Sequence, residues 1–218
     1  LIGWPAINGP ILLALIGVLH LVESVLITCG GPAGALPVWV QHPRTREWLV
    51  GYRMEHFWPL PLLLFLAVPL TPELIAAGGV PTPDWWPIFP LKALPPVNGE
   101  WLYALVPVVA ALGYTDFAVT TSPAVKSRRS GLGLFLYSLI LIGLAWGSIH
   151  WSWLLWPEAL FAPLGHEGLI RLENKREWAG EPLLRPTLHS LQFVLVAPGS
   201  FADDFGISPG DRLLRLSG

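Results

Sequence analysis

The chain has 218 residues, 53% of them hydrophobic and only 13% charged, with a mean hydropathy of +0.55. A soluble domain carries about 25% charged residues, so the water-facing surface of a globular protein of this length is missing. The near-neutral formal charge of −2 argues against a nucleic-acid partner, and a single cysteine, Cys29, rules out an internal disulfide framework.

Crossing a bilayer as a helix takes about 20 mostly apolar residues. Four regions come close. The first is 10–28 (PILLALIGVLHLVESVLIT), interrupted by His20 and Glu23. The chain begins at Leu1 with no basic segment ahead of this run, so the run reads as a membrane helix inside a longer protein, not as a cleaved signal. The second, 57–76 (FWPLPLLLFLAVPLTPELIA), reads as a helix made short or kinked by its prolines. The third is 101–120 (WLYALVPVVAALGYTDFAVT), with Asp116 near one end. The fourth, 131–165, is longer than one crossing needs and is broken at Gly147–Ser148. One tilted helix with an interfacial piece, two short helices and a re-entrant hairpin all fit it.

The connections differ in charge. Residues 29–56 carry Arg44, Arg46 and Arg53, and 122–130 carry Lys126, Arg128 and Arg129. Residues 71–100 hold only Lys92 and are rich in Pro and Trp. The positive-inside rule puts the first two in the cytoplasm and the third outside, with Trp85 and Trp86 in the outer aromatic belt. After Gly165 the polar stretch RLENKREWAGE reads as a linker or strand pair leaving the membrane. If 131–165 folds back, the tail lies inside with the basic segments, which is the favoured side.

The polar residues inside the apolar runs ask for partners, because an ionisable group at the centre of a membrane helix costs about 2.5–3.5 kcal/mol on insertion scales. His20 and Glu23 lie three apart on one face of the first helix, and Glu23 can pair with His20, Arg53 or His150. Interhelical polar glue is the favoured reading; a proton or metal site is the other. Asp116 lies near the basic segment and can pair with Lys126, Arg128 or Arg129, while His150 sits among tryptophans at an interface. His166-Glu167 opens like the zinc motif H-E-x-x-H, but position 170 is Ile, so the second ligand is absent. Asp116 is the one distant carboxylate an intramembrane metalloprotease of this kind would use. The plainer reading is that His166-Glu167 caps the last membrane helix and anchors the linker.

The C-terminal stretch combines an apolar strand (FVLV), the turn Pro198-Gly199-Ser200, a short helix holding Ala202 and Phe205, Gly206 at a left-handed C-cap, and the turn Pro209-Gly210-Asp211 before RLLRL. In this order, over residues 190–218, it resembles the PDZ family: strand, PGS-x-A-x-x-x-G, I-x-PGD-x-L-L-x-L-x-G. The resemblance implies a domain incomplete in this chain. It also implies a peptide ligand added as a strand beside Ser190, Leu191, Gln192, Phe193, Val194 and Leu195. The family's usual glycines are missing at Ser190 and Gln192. LHLVESVLI, GYRMEHFWPLPLL and FAPLGHEGLI further resemble multi-pass bacterial proteins with a C-terminal PDZ domain, MinJ-like. That resemblance implies a scaffold joining the polar protein DivIVA to the division inhibitor MinD.

The expectation is thus an α-helical polytopic membrane protein with about four to five transmembrane helices (residues 1–165), a polar linker (166–187) and a truncated PDZ-like α+β module (188–218). It is expected in the bacterial cytoplasmic membrane with a cytoplasmic tail, its partners being the bilayer and proteins recruited by the module. No cofactor is implied. The first functional reading is a membrane-anchored scaffold; the alternative is a PDZ-containing membrane protease.

Overall fold

The computed structural model describes residues 8–68, 76, 102–185 and 190–215. Helix α1 (Gly9–Gly30) starts where the Asn8 side chain accepts the Ile11 N–H at 3.3 Å and Pro10 supplies a preset φ. Strands β1 (Leu36–Gln41), β2 (Trp48–Val68) and β3 (Leu102–Ala118) form one antiparallel sheet in that order. Helix α2 (Pro123–His150) is capped by the Ser122 hydroxyl, which accepts the Val125 N–H. A 3₁₀ turn (Ser152–Leu154) reverses the chain into α3 (Leu155–Ala179). A small terminal unit follows: β4 (Leu191–Gln192), α4 (Phe201–Asp204) and β5 (Arg212–Leu213), with β4 and β5 paired antiparallel.

Among the described residues the expected four to five transmembrane helices are not there. Half of the structure is helix and a quarter is strand, and two of the described helices, α1 and α2, are long and apolar enough to cross a membrane. The described parts of the second and third apolar runs are β2 and β3, paired from Tyr52↔Ala118 to Val68↔Leu102. Proline explains much of this. A proline inside a helix removes a hydrogen bond and costs about 3 kcal/mol, and β2 holds Pro59 and Pro61 while β3 holds Pro107. All three fall in rows of one parity, Pro59↔Ala111, Pro61↔Val109 and Leu63↔Pro107. Rows alternate between bonded and non-bonded pairs, so a single choice of row puts every missing donor on the outer edges, where no ladder needs it.

The long run 131–165 resolves as two helices that fold back, with the break at Trp151 and α2 running on through Gly147–Ser148. The polar stretch after Gly165 is not a strand pair at its start; it continues α3 as helix to Ala179. Trp85, Trp86 and the segment that holds them lie outside the described residues.

α1 and α2 pack antiparallel, since a Cβ on Gly17 would meet Ile142 and one on Gly131 would strike Thr28 Oγ1 and the Ser24 carbonyl. α3 returns beside α2, with Leu169 against Gly133 and Tyr137 donating to the Ala162 carbonyl at 2.7 Å. The inner face of the sheet covers this bundle: Tyr52, Met54, Tyr114 and Ala118 join Ile27, Leu134, Tyr137, Leu141 and Leu184 in one core. Only 28% and 39% of the apolar windows of α1 and α2 are buried, so neither is enclosed as the core helix of a soluble protein is.

Candidate functional site

The polar residues of the apolar segments collect in two clusters. In the first, the i, i+3 spacing on α1 brings His20 Nδ1 to 2.8 Å from Glu23 Oε2. The other carboxylate oxygen accepts the Gly113 N–H of β3 at 3.1 Å. Glu23 is 7% exposed, so both oxygens are used where water is scarce. His166 of α3 stacks on His20 with ring centroids 5.2 Å apart, and Tyr137 of α2 meets both imidazoles edge-on. His166 and Glu167 sit inside α3 and do not cap a helix end. Glu23 takes His20 as its side-chain partner, as one of the three considered.

The second cluster is ionic. Lys126, with no exposed surface, lies 3.0 Å from Asp116 Oδ2 and 3.3 Å from Glu173 Oε2. Asp116 also accepts the Phe117 N–H at 2.8 Å, and Glu173 takes Arg176 at 3.4 Å. Tyr114, within reach of Asp116, is held protonated well above its usual range, by burial first and then by the Asp116 charge. One turn along α3, Glu177 Oε1 accepts the Val119 and Thr120 N–H groups, each at 2.7 Å, where β3 ends. These contacts tie β3, α2 and α3 together at the end where α1 stops and α2 begins. His150 stands apart at the C-terminus of α2, its ring between Trp146 and Trp151.

The terminal unit is built from tight turns. Ser200 accepts the Asp203 N–H, Asp203 accepts the Gly199 N–H at 2.8 Å, and Asp211 accepts the Ser208 N–H at 2.8 Å. Gly206 and Gly210 take φ of 72° and 102°, a region that side chains with a Cβ rarely enter. The Ile207 N–H returns to the Ala202 carbonyl, and Pro209 precedes the turn in which the Gly210 N–H reaches the Phe193 carbonyl at 2.8 Å. The Phe193 N–H in turn reaches the Asp211 carbonyl. Gln192, where the PDZ pattern has glycine, acts as a pin: Oε1 accepts the Arg185 N–H, and Nε2 donates to the Leu183 and Gly210 carbonyls. The Tyr52 hydroxyl of β2 donates to the Val194 carbonyl, and Leu184 bridges to Val50. Leu191 and Leu195 are exposed, Phe193 and Val194 half-buried, and Ser190 is engaged within the fold.

Sequence reasoning paired Asp116 with Lys126 as one option but did not see His166 against His20, Tyr137 between them, or Glu173 and Glu177 facing the core. A signal was present: His166, Leu169, Glu173 and Glu177 recur at spacings of three and four, one face of a helix. Among the described residues no group of three His, Cys, Asp or Glu side chains is arranged to hold a metal ion. No protein-family model, curated protein or solved structure matches this chain.

Proposed function

We propose that this chain is a membrane-anchored adaptor in which α1 and α2 fix location and the PDZ-like terminal unit recruits a protein partner. One observation carries this reading. The terminal unit is joined to the sheet directly, through Tyr52 to Val194, and indirectly, through Gln192 to the 183–185 stretch whose Leu184 bridges to Val50, so a recruiting segment would be held in register with the anchoring helices. A freely tethered module would need none of these contacts. The exposed side chains of Leu191 and Leu195 leave apolar surface for a partner.

The proposal includes a cytoplasmic tail, and the distribution of basic residues favours it. α1 and α2 are antiparallel and α3 folds back, so Arg44, Arg46, Arg53, Arg128 and Arg129 gather with the start of the tail at one end. The positive-inside rule assigns that end to the cytoplasm. DivIVA- or MinD-type partners remain what the family resemblance suggests. The test is a pull-down of the full-length protein in detergent, with and without residues 190–218. A partner set lost with the segment supports recruitment, and identical sets refute it.

A membrane protease is the second reading, favoured by the convergence of His20, Glu23 and His166 from two helices. It requires that His166→Ala abolish proteolysis; an adaptor keeps partner recruitment after the same change.

A further inference from the structure

A groove of about 240 Å³ runs along the contact between α1 and α2. Each helix supplies one wall. On α2, Arg128, Leu132 and Phe135 recur at helical spacing, and on α1 Val25 and Cys29 stand one turn apart. All five are exposed, so the groove is open to the surroundings of the helices. The helices touch at Gly131, where a Cβ would strike Thr28 Oγ1. Ser24 and Thr28 also line the groove, but their hydroxyls are spent on their own helix. Thr28 donates to the Ser24 carbonyl and Ser24 to the Leu21 carbonyl, each at 2.7 Å. The walls therefore present carbon to an occupant.

Arg128 gives one end of the groove a charge. It lies one turn before Leu132, at the end where α1 stops and α2 begins. Lys126 nearby is buried between two carboxylates, whereas Arg128 has no ion pair or hydrogen bond among the described residues. A guanidinium offers a planar fork of donors that fits a phosphate with two bonds. From Arg128 to Phe135 the α2 wall spans about 10 Å at the helical rise. A carbon chain that ends in a phosphate matches both features. Another membrane helix does not: it is about 10–12 Å across with its side chains. Gly131, the small residue through which helices approach, is already taken by α1.

We propose that this groove binds an anionic phospholipid, one acyl chain lying against Val25, Leu132 and Phe135 and the headgroup phosphate held by Arg128. A zwitterionic headgroup brings its own cation beside the arginine and gains less. The site rests on the membrane placement of α1 and α2, and is independent of the recruiting role of the terminal unit.

The test titrates the full chain in detergent with dioleoylphosphatidylglycerol or dioleoylphosphatidylcholine and reads the lipid retained per chain by native mass spectrometry. The expected result is saturable retention with phosphatidylglycerol preferred about fivefold, the effect of one arginine near an anionic headgroup. Arg128→Gln is expected to remove the preference. Arg129→Gln deletes the same charge one residue on, outside the groove lining, and is expected to keep it. Leu132→Trp, at an exposed position, is expected to fill the groove and abolish saturable retention with unchanged circular dichroism. It carries the test if Arg128→Gln does not fold. No saturable retention, equal retention of the two lipids, or equal loss in Arg128→Gln and Arg129→Gln overturns the proposal. So does a dimer that excludes lipid and is broken by Leu132→Trp, which would make a second copy the occupant. Alkaline carbonate washing of the membranes separates the site from the placement it rests on. A chain that stays in the membrane without lipid selectivity refutes the groove alone, and a chain that is released refutes both.

Discussion

Lys126 has no exposed surface, yet Asp116 and Glu173 both lie within ion-pair distance of its ammonium. Removing one member of a buried charge group leaves the rest uncompensated, at a cost of about 3–5 kcal/mol. Lys126→Met is therefore expected to destabilise the fold by about that amount, because two carboxylates are then left facing each other. The triple change Lys126→Met, Asp116→Asn, Glu173→Gln is expected to restore most of the loss. Thermal unfolding in detergent reads both, and a harmless Lys126→Met would show that the cluster is solvated.

The contact between α1 and α2 depends on Gly131. A Cβ there would strike Thr28 Oγ1 and come within 2.8 Å of the Ser24 carbonyl, and backbone cannot move aside as a side chain can. Gly131→Ala is expected to cost about 1–3 kcal/mol, the usual penalty for overpacking. Gly143→Ala, with open space around its added Cβ, serves as the control and is expected to be neutral or slightly stabilising. Equal unfolding midpoints for the two variants would mean that the helices are not in close contact here. α1 was legible in the sequence because its apolar run is long and free of internal proline after the first turn; α2 was legible only from Gly131 on, since its first two turns carry Lys126, Arg128 and Arg129 and read as a basic connection. The β2–β3 hairpin was not, and the reason is physical. Strands announce themselves by alternation, and here both faces are apolar: Phe57, Leu63 and Val109 point out while Trp58, Leu112 and Tyr114 point in. A hydropathy window sees only an unbroken run. The prolines were read as kinks in a helix when they were marking strands with free edges. The clusters were half legible for a related reason. Spacing along one element relates His20 to Glu23, whereas His166 and Glu173 reach their partners only after α3 has folded back onto α2.

At the scale of the whole molecule, the fold-back decides where the chain's charge accumulates. With α1, α2 and α3 alternating in direction, the two basic connections and the start of the tail share one end, and Cys29 lies at that end, exposed, as the one cysteine of the chain. It is thus a native reporter of the proposed orientation. In intact cells Cys29 is expected to resist a membrane-impermeant maleimide and to react once the membrane is opened. Asn174→Cys in a Cys29→Ser background is expected to behave identically, because Lys126 holds Glu173 beside the start of α2. Labelling of both positions from outside would reverse the orientation. Labelling of one from each side would break the link between α2 and α3 on which the placement of the tail rests. Only the first result, protection of both, leaves the terminal unit facing the cytoplasmic partners that an adaptor of this kind would recruit.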